Sequence, residues 1–88
     1  MELIKPITLI YADDCLDCAK MESMINQALE ECGKKNPLVR INSEDSEAIT
    51  VAIDNGISDI PACIIGDIIM FGKRGFKYKS IKKAISQL

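Results

Sequence analysis

Histidine is absent from this chain. Without an imidazole there is no Cys–His catalytic pair, and no zinc site of mixed cysteine and histidine ligands can form. Long hydrophobic runs are missing too. No apolar stretch approaches the roughly 18 residues that suggest a membrane span, so no membrane association is expected. The first residues, Met1-Glu2, lack the basic character of a signal peptide, and Pro6 interrupts the apolar run there. A cytoplasmic location is the expectation. Positive charge is not in excess: the net charge is −2, which argues against nucleic acid as the main partner. Lys73, Arg74, Lys77, Lys79, Lys82 and Lys83 cluster late in the chain and read as a solvated loop and helix face. Repeats, linkers and low-complexity segments are absent, and 88 residues can bury one modest core. Residues 1–88 are therefore expected to form a single domain.

What the chain does contain is 48% apolar and 27% charged residues, the balance of a folded globular protein. It also has four cysteines. In a small cytosolic chain, cysteines point to redox chemistry or metal rather than to a disulfide framework.

Two of them stand in Asp13-Asp14-Cys15-Leu16-Asp17-Cys18. This stretch follows a short apolar run, Ile7-Thr8-Leu9-Ile10-Tyr11, and precedes a segment of helical period. The pattern places Cys15 at a helix N-terminus, where free N–H groups and the helix dipole favour a thiolate. Cys18 lies about one turn on, close enough to close a disulfide with Cys15. A metal site and a pair of ordinary buried thiols are the competing readings.

Ile7 to Tyr11 reads as a strand buried on both faces. Asp13 or Asp14 is a plausible cap for the helix that follows. Cys18, Met21, Ile25, Ala28, Leu29 and Cys32 then share one helical face, and Gly33 suits the helix end. Leu38 to Ile41 is a second strand, making a βαβ unit with parallel strands. Ser43 or Ser46 is positioned to cap a second helix, with Ile49, Ala52 and Ile53 on its buried face, ending at Asn55-Gly56. Ala62 to Ile65 and Ile68 to Phe71 read as antiparallel strands joined by the turn Gly66-Asp67. Gly72-Lys73-Arg74-Gly75 is a flexible exit, and the last helix runs from about Lys79 to Leu88.

The order β-α-β-α-β-β-α resembles the thioredoxin fold in its minimal, glutaredoxin-sized form: an α/β protein with a four-stranded mixed sheet flanked by three helices. The resemblance spans Ile7 to Leu88. It rests on the conjunction of Cys15-Leu16-Asp17-Cys18 after the first strand with Gly56-Ile57-Ser58-Asp59-Ile60-Pro61 before the third.

The resemblance implies a thiol–disulfide oxidoreductase that reduces protein disulfides. Cys15 would be the nucleophile and Cys18 the resolving thiol. Pro61 would be a cis-proline facing the disulfide, and the Ile60 backbone would pair with the substrate chain. Tyr11, Ala12 and Asp14 fall where the family lines its active site. The buried acid that thioredoxins carry six residues before the first cysteine is replaced by Leu9. Asp13, Asp14 and Asp17 place three carboxylates around the sulfur, opposing the helix terminus and implying a reducing potential. Those same carboxylates would favour partners with basic residues around their disulfide. The implied partners are protein disulfides and an upstream thiol reductase, with no bound cofactor and no metal; a monomer is expected. Glutathione is weakly supported: Asp59-Ile60-Pro61 replaces the Thr-Val-Pro of glutaredoxins, and Gly72-Lys73-Arg74-Gly75 lacks their acidic residue, although Lys73 or Arg74 can take a carboxylate.

Two other classes compete. Cys15, Cys18, Cys32 and Cys63 are enough in number for a four-cysteine zinc site, or a thiol-ligated iron–sulfur cluster between two chains. Against the zinc site, Cys32 should lie roughly 20 Å along the first helix from the motif. Otherwise Cys32 and Cys63 read as small core residues. The third possibility is a thioredoxin-like docking module with little turnover, which the unusual Leu16-Asp17 pair leaves open.

Overall fold

The computed structural model describes residues 4–72 and 76–88. The expected exit loop therefore lies partly outside the described residues, with Lys73, Arg74 and Gly75. Seven elements follow in order: β1 (Ile7–Tyr11), α1 (Leu16–Glu31), β2 (Leu38–Asn42), α2 (Ser46–Asn55), β3 (Ala62–Ile65), β4 (Ile68–Phe71) and α3 (Tyr78–Ser86). The strands form one mixed sheet in the order β2-β1-β3-β4. β1 runs parallel to β2, with Ile7 opposite Leu38 and Tyr11 opposite Asn42. β3 is antiparallel to β1, with Ile10 opposite Ala62, and β4 is antiparallel to β3. This is the thioredoxin-like topology, with β1 in the interior of the sheet.

Strand alternation sends successive β1 side chains to opposite faces. Ile7 and Leu9 enter a large core with Met21, Ile25, Ala28 and Leu29 of α1, Cys63 and Ile65 of β3, and Ile81, Ala84 and Ile85 of α3. Ile10 enters a smaller core with Ile41, Ala48 and Ala62. One face of the sheet is thus covered by two helices and the other by α2 alone, so β1 is buried on both sides as its apolar run predicts.

Both long-loop helix ends use left-handed glycines. Gly33 has φ +64, and its N–H donates to the Glu30 carbonyl while Lys34 N–H reaches Leu29. Gly56 has φ +68, and the same pattern joins Gly56 to Ile53 and Ile57 to Ala52. These paired bonds satisfy carbonyls that the helix itself leaves open. Across the α1–α3 seam, the Tyr78 hydroxyl donates to the Glu31 carboxylate, and Lys82 pairs with Glu31 at 3.2 Å.

Four sequence expectations are corrected. The N-cap of α1 is Cys15, not Asp13 or Asp14; Asp14 instead takes φ 55 and turns the chain. The N-cap of α2 is Asp45, without a side-chain cap bond, rather than Ser43 or Ser46. Ile49 and Ile53, expected to be buried, are 56% and 75% exposed. The inner side of α2 is formed by Ala48, with Val51 packed beside it, because small side chains let the helix approach the sheet closely. Cys32 is half-buried, packed against the edge of the large core rather than within it.

Truncating the two isoleucines should separate buried from exposed positions. Ile25→Ala empties a fully buried site and is expected to cost about 2–5 kcal/mol. Ile53→Ala is expected to cost under about 0.5 kcal/mol. Urea unfolding midpoints check the pair, and equal losses would mean that Ile53 is covered in solution.

Candidate active site

The site forms where the chain leaves β1 and enters α1. Cys15 is the last extended residue, at φ −109 and ψ 108, and its side chain accepts the first-turn N–H of the helix. The bond runs from Cys18 N–H to Cys15 Sγ at 3.1 Å. A sulfur thus fills the position that an Asp or Ser oxygen occupies in an ordinary N-cap. The helix dipole and this N–H both favour negative charge on that atom when the thiol is reduced.

Cys15 and Cys18 form a disulfide, with Cα atoms 5.2 Å apart. Cys18 is 3% exposed, because it begins the apolar stripe that anchors α1. Cys15 is half-buried, and Leu16 between them projects into solvent at 89% exposure. The reachable sulfur is therefore the first, and the sheltered one is the second.

A cleft of about 800 Å³ opens beside the disulfide, lined by Tyr11, Asp13, Asp14, Glu22 and Arg40 among others. Asp13 and Asp14 of the expected carboxylate group lie here; Asp17 sits in the first turn of α1 and does not line the cleft. Asp13 accepts a hydrogen bond from the Asn42 amide at 3.3 Å.

Arg40 and Glu22 are the site residues that sequence reasoning missed. The Arg40 guanidinium lies over the Tyr11 ring, 4.6 Å from its centroid, and its Nε is 2.8 Å from Glu22 Oε1. Both side chains keep substantial exposure, 51% and 29%, so the pair orients the guanidinium more than it stabilises the fold. The collar is consequently not uniformly acidic. The available signal was a lone cation inside the otherwise apolar Leu38-Val39-Arg40-Ile41.

Ile60 and Pro61 do not line this cleft. Ala62 stands opposite Ile10, which brings Pro61 in at the level of Tyr11, on the β3 side of β1. The Ile60–Pro61 bond is cis, the isomer that the resemblance implies. Pro61 is buried and Ile60 half-buried. Gly72 N–H donates to the Pro61 carbonyl at 2.9 Å, and Ile60 N–H donates to Asp59 Oδ1 at 2.8 Å. The loop is thereby tied to the end of β4.

The four cysteines are not gathered. Cys32 follows the far end of α1, with its thiol 3.9 Å from the Lys82 carbonyl. Cys63 is fully buried in β3, and that burial pushes its thiol up to about 12, against a smaller lowering effect from the Met70 backbone. Among the described residues, no three Cys, Asp or Glu side chains converge as a metal site would require. Among them, too, no helix is long and apolar enough to cross a membrane.

No protein-family model matches the chain, and no curated protein matches it. Among solved structures, it is similar to one described as the structure of a malarial protein. The two share 12% sequence identity with a TM-score of 0.59, and the match covers 92% of each chain. At that identity the likeness shows the fold alone.

Cys63 should leave a signature in alkaline unfolding. Its folded value of about 12 lies above the ordinary 9.0, so the folded state holds the proton that the unfolded state releases. The contribution is intact below about pH 9 and is lost as pH rises from there through about 12, at up to about 1.4 kcal/mol per pH unit. Tyr78, also raised to about 12 by its bond to Glu31, acts in the same direction. Urea unfolding between pH 8 and 10.5 is expected to show a shallower loss in Cys63→Ala than in the parent. Parallel slopes would contradict the assignment.

Proposed function

We propose that the chain is a thioredoxin- or glutaredoxin-like thiol–disulfide oxidoreductase, reducing protein disulfides through the Cys15–Cys18 couple. The observation that carries this reading is the Cys15–Cys18 disulfide at the head of α1, with Cys15 Sγ accepting the Cys18 N–H. In the reduced protein, the Cys15 thiolate attacks one sulfur of a substrate disulfide and expels the other as a thiolate. Cys18 then attacks Cys15 in the mixed disulfide, releasing the second substrate thiolate and closing the Cys15–Cys18 bond. Two electrons and two protons pass to the substrate, and an external thiol reductase restores the dithiol. The greater exposure of Cys15 and the shelter of Cys18 match this division of work. The exchange needs no resident cofactor.

Ile60 and Pro61 form the docking edge for the substrate chain, and Tyr11 and Asp14 border the sulfur. Asp13, Asp14 and Asp17 oppose a thiolate, while Arg40 partly offsets them. The balance favours a reducing couple working in a cytosolic setting on protein disulfides. Glutathione has less support, since Asp59-Ile60-Pro61 replaces the Thr-Val-Pro of glutaredoxins and Gly72-Lys73-Arg74-Gly75 lacks their acidic residue.

Equilibration with graded dithiothreitol, followed by alkylation and mapping, tests the reading. One two-electron transition confined to Cys15 and Cys18 is expected, below about −230 mV. Cys18→Ser should accumulate the mixed disulfide, and Cys15→Ser should abolish exchange. If no Cys15–Cys18 disulfide forms at any ratio, the proposal fails.

A further inference from the structure

A groove of about 710 Å³ opens at the end of the molecule opposite the disulfide. The 16 residues of α1 put roughly 24 Å between Cys15 and the turn over 33–36 that forms one wall. The turn Gly66-Asp67 and the end of α3 form the others. Two hydrogen bonds tie the walls together. Lys34 Nζ donates to the Leu88 backbone oxygen at 2.7 Å, and the Asn36 amide donates to the Lys5 carbonyl at 2.8 Å. Gly66, at φ +61, lets its turn sit against α3; a Cβ there would lie 3.2 Å from Leu88 Cδ2. The groove is therefore preformed, which lowers the cost of binding.

Its surface has two characters. Ile65 and Ala84 are buried at the base, while Ile4 and Ile68 stand 61% and 38% exposed at the rim. The described lining residues also include Lys5, Lys34 and Lys35, against one carboxylate, Asp67. Lys34 is engaged by Leu88. Lys5 and Lys35 are exposed, and neither forms an ion pair among the described residues. Lys83, also exposed, stands four positions before Gln87 and so on the same side of α3. An apolar groove with a cationic wall is complementary to an apolar side chain carried between carboxylates. Two copies meeting groove to groove would oppose their lysines, which disfavours a symmetric dimer there.

We propose that this groove docks an acidic peptide segment of a partner protein. One leucine- or phenylalanine-sized side chain enters between Ile4 and Ile68, and flanking carboxylates lie near Lys5 and Lys35. Bound there, the partner leaves Cys15 reachable. The groove would tether the protein to an acidic partner while the disulfide end stays free, a role independent of whether the Cys15–Cys18 couple turns over.

Fluorescence polarisation with three labelled peptides, on the full chain, tests this. The first peptide carries one phenylalanine among glutamates. The second has serine in place of the phenylalanine, and the third has lysines in place of the glutamates. The first is expected to bind at least about tenfold tighter than either of the others. Salt should weaken its binding, and dithiothreitol should leave its affinity unchanged, because the groove is remote from the disulfide. I68S should lose the preference for phenylalanine. K5E/K35E, altered only at exposed positions, should lose the preference for glutamates, with urea midpoints checking that both variants fold. No binding, equal affinities for the three peptides, or unchanged selectivity in both variants would overturn the proposal. So would affinity lost on reduction, which would place the peptide at the disulfide. Binding seen only after removal of residues 1–3 would give the groove to the chain's own first residues. A concentration-dependent assembly abolished by I68S would give it to a second copy. Either result overturns the assignment to a partner.

Discussion

The structure depends on one junction: the first turn of α1 finds its hydrogen-bond acceptor in the sulfur of Cys15. A helix start leaves N–H groups without internal partners. Here a sulfur of the Cys15–Cys18 disulfide answers one of them, so the atom that caps the helix is also the one on which the proposed exchange turns. The junction is held from both directions. β1 lies inside the sheet, paired on each edge, and α1 is anchored by Met21, Ile25 and Ala28, all fully buried. Between two such fixed elements, Asp13 and Asp14 have little freedom, and Asp14 completes the turn with a left-handed backbone. The position of the sulfur is thus set by the packing of the whole large core.

The two faces of the sheet are built unequally, and this shapes the surface. On one side, α1 and α3 bring long aliphatic side chains into a continuous core. On the other, α2 contributes Ala48 to a smaller core with Ile10, Ile41 and Ala62. Small residues allow close approach, and the large isoleucines of the same helix are left outside. Charge separates along with packing: acidic residues surround α2, while Lys77, Lys79, Lys82 and Lys83 cluster around α3. A net charge of −2 conceals a molecule with two electrostatically distinct sides.

Around the sulfur, opposing charges meet within one cleft. Asp13, Asp14 and Glu22 are negative, whereas Arg40 brings a cation from the neighbouring parallel strand. Its register opposite Leu9 and its stacking on Tyr11 place it there. The helix terminus and the guanidinium favour a thiolate, and the carboxylates oppose it. Because Glu22 engages the guanidinium directly, part of that cation's field is neutralised before it reaches the sulfur.

The sequence by itself determined the order of elements, the parallel β1–β2 pair, the Gly66-Asp67 turn and the Cys15–Cys18 motif at the helix start. Those features are local: periodicity, turn chemistry and short spacing express them without reference to distant residues. What only the tertiary structure decided was everything that depends on what lies opposite. The apolar pattern of α2 pointed to Ile49, Ala52 and Ile53 as the inner side; the narrow approach to the sheet placed the small Ala48 there instead. Capping of α1 passed from the aspartates to Cys15, because Asp14 takes the left-handed turn before the helix and the Asp13 carboxylate accepts from Asn42 of β2. Arg40 joined the site through strand register, which connects residues more than twenty positions apart in the chain. Periodicity records which side chains share a face, but the depth to which that face is buried is set by the neighbour that packs against it.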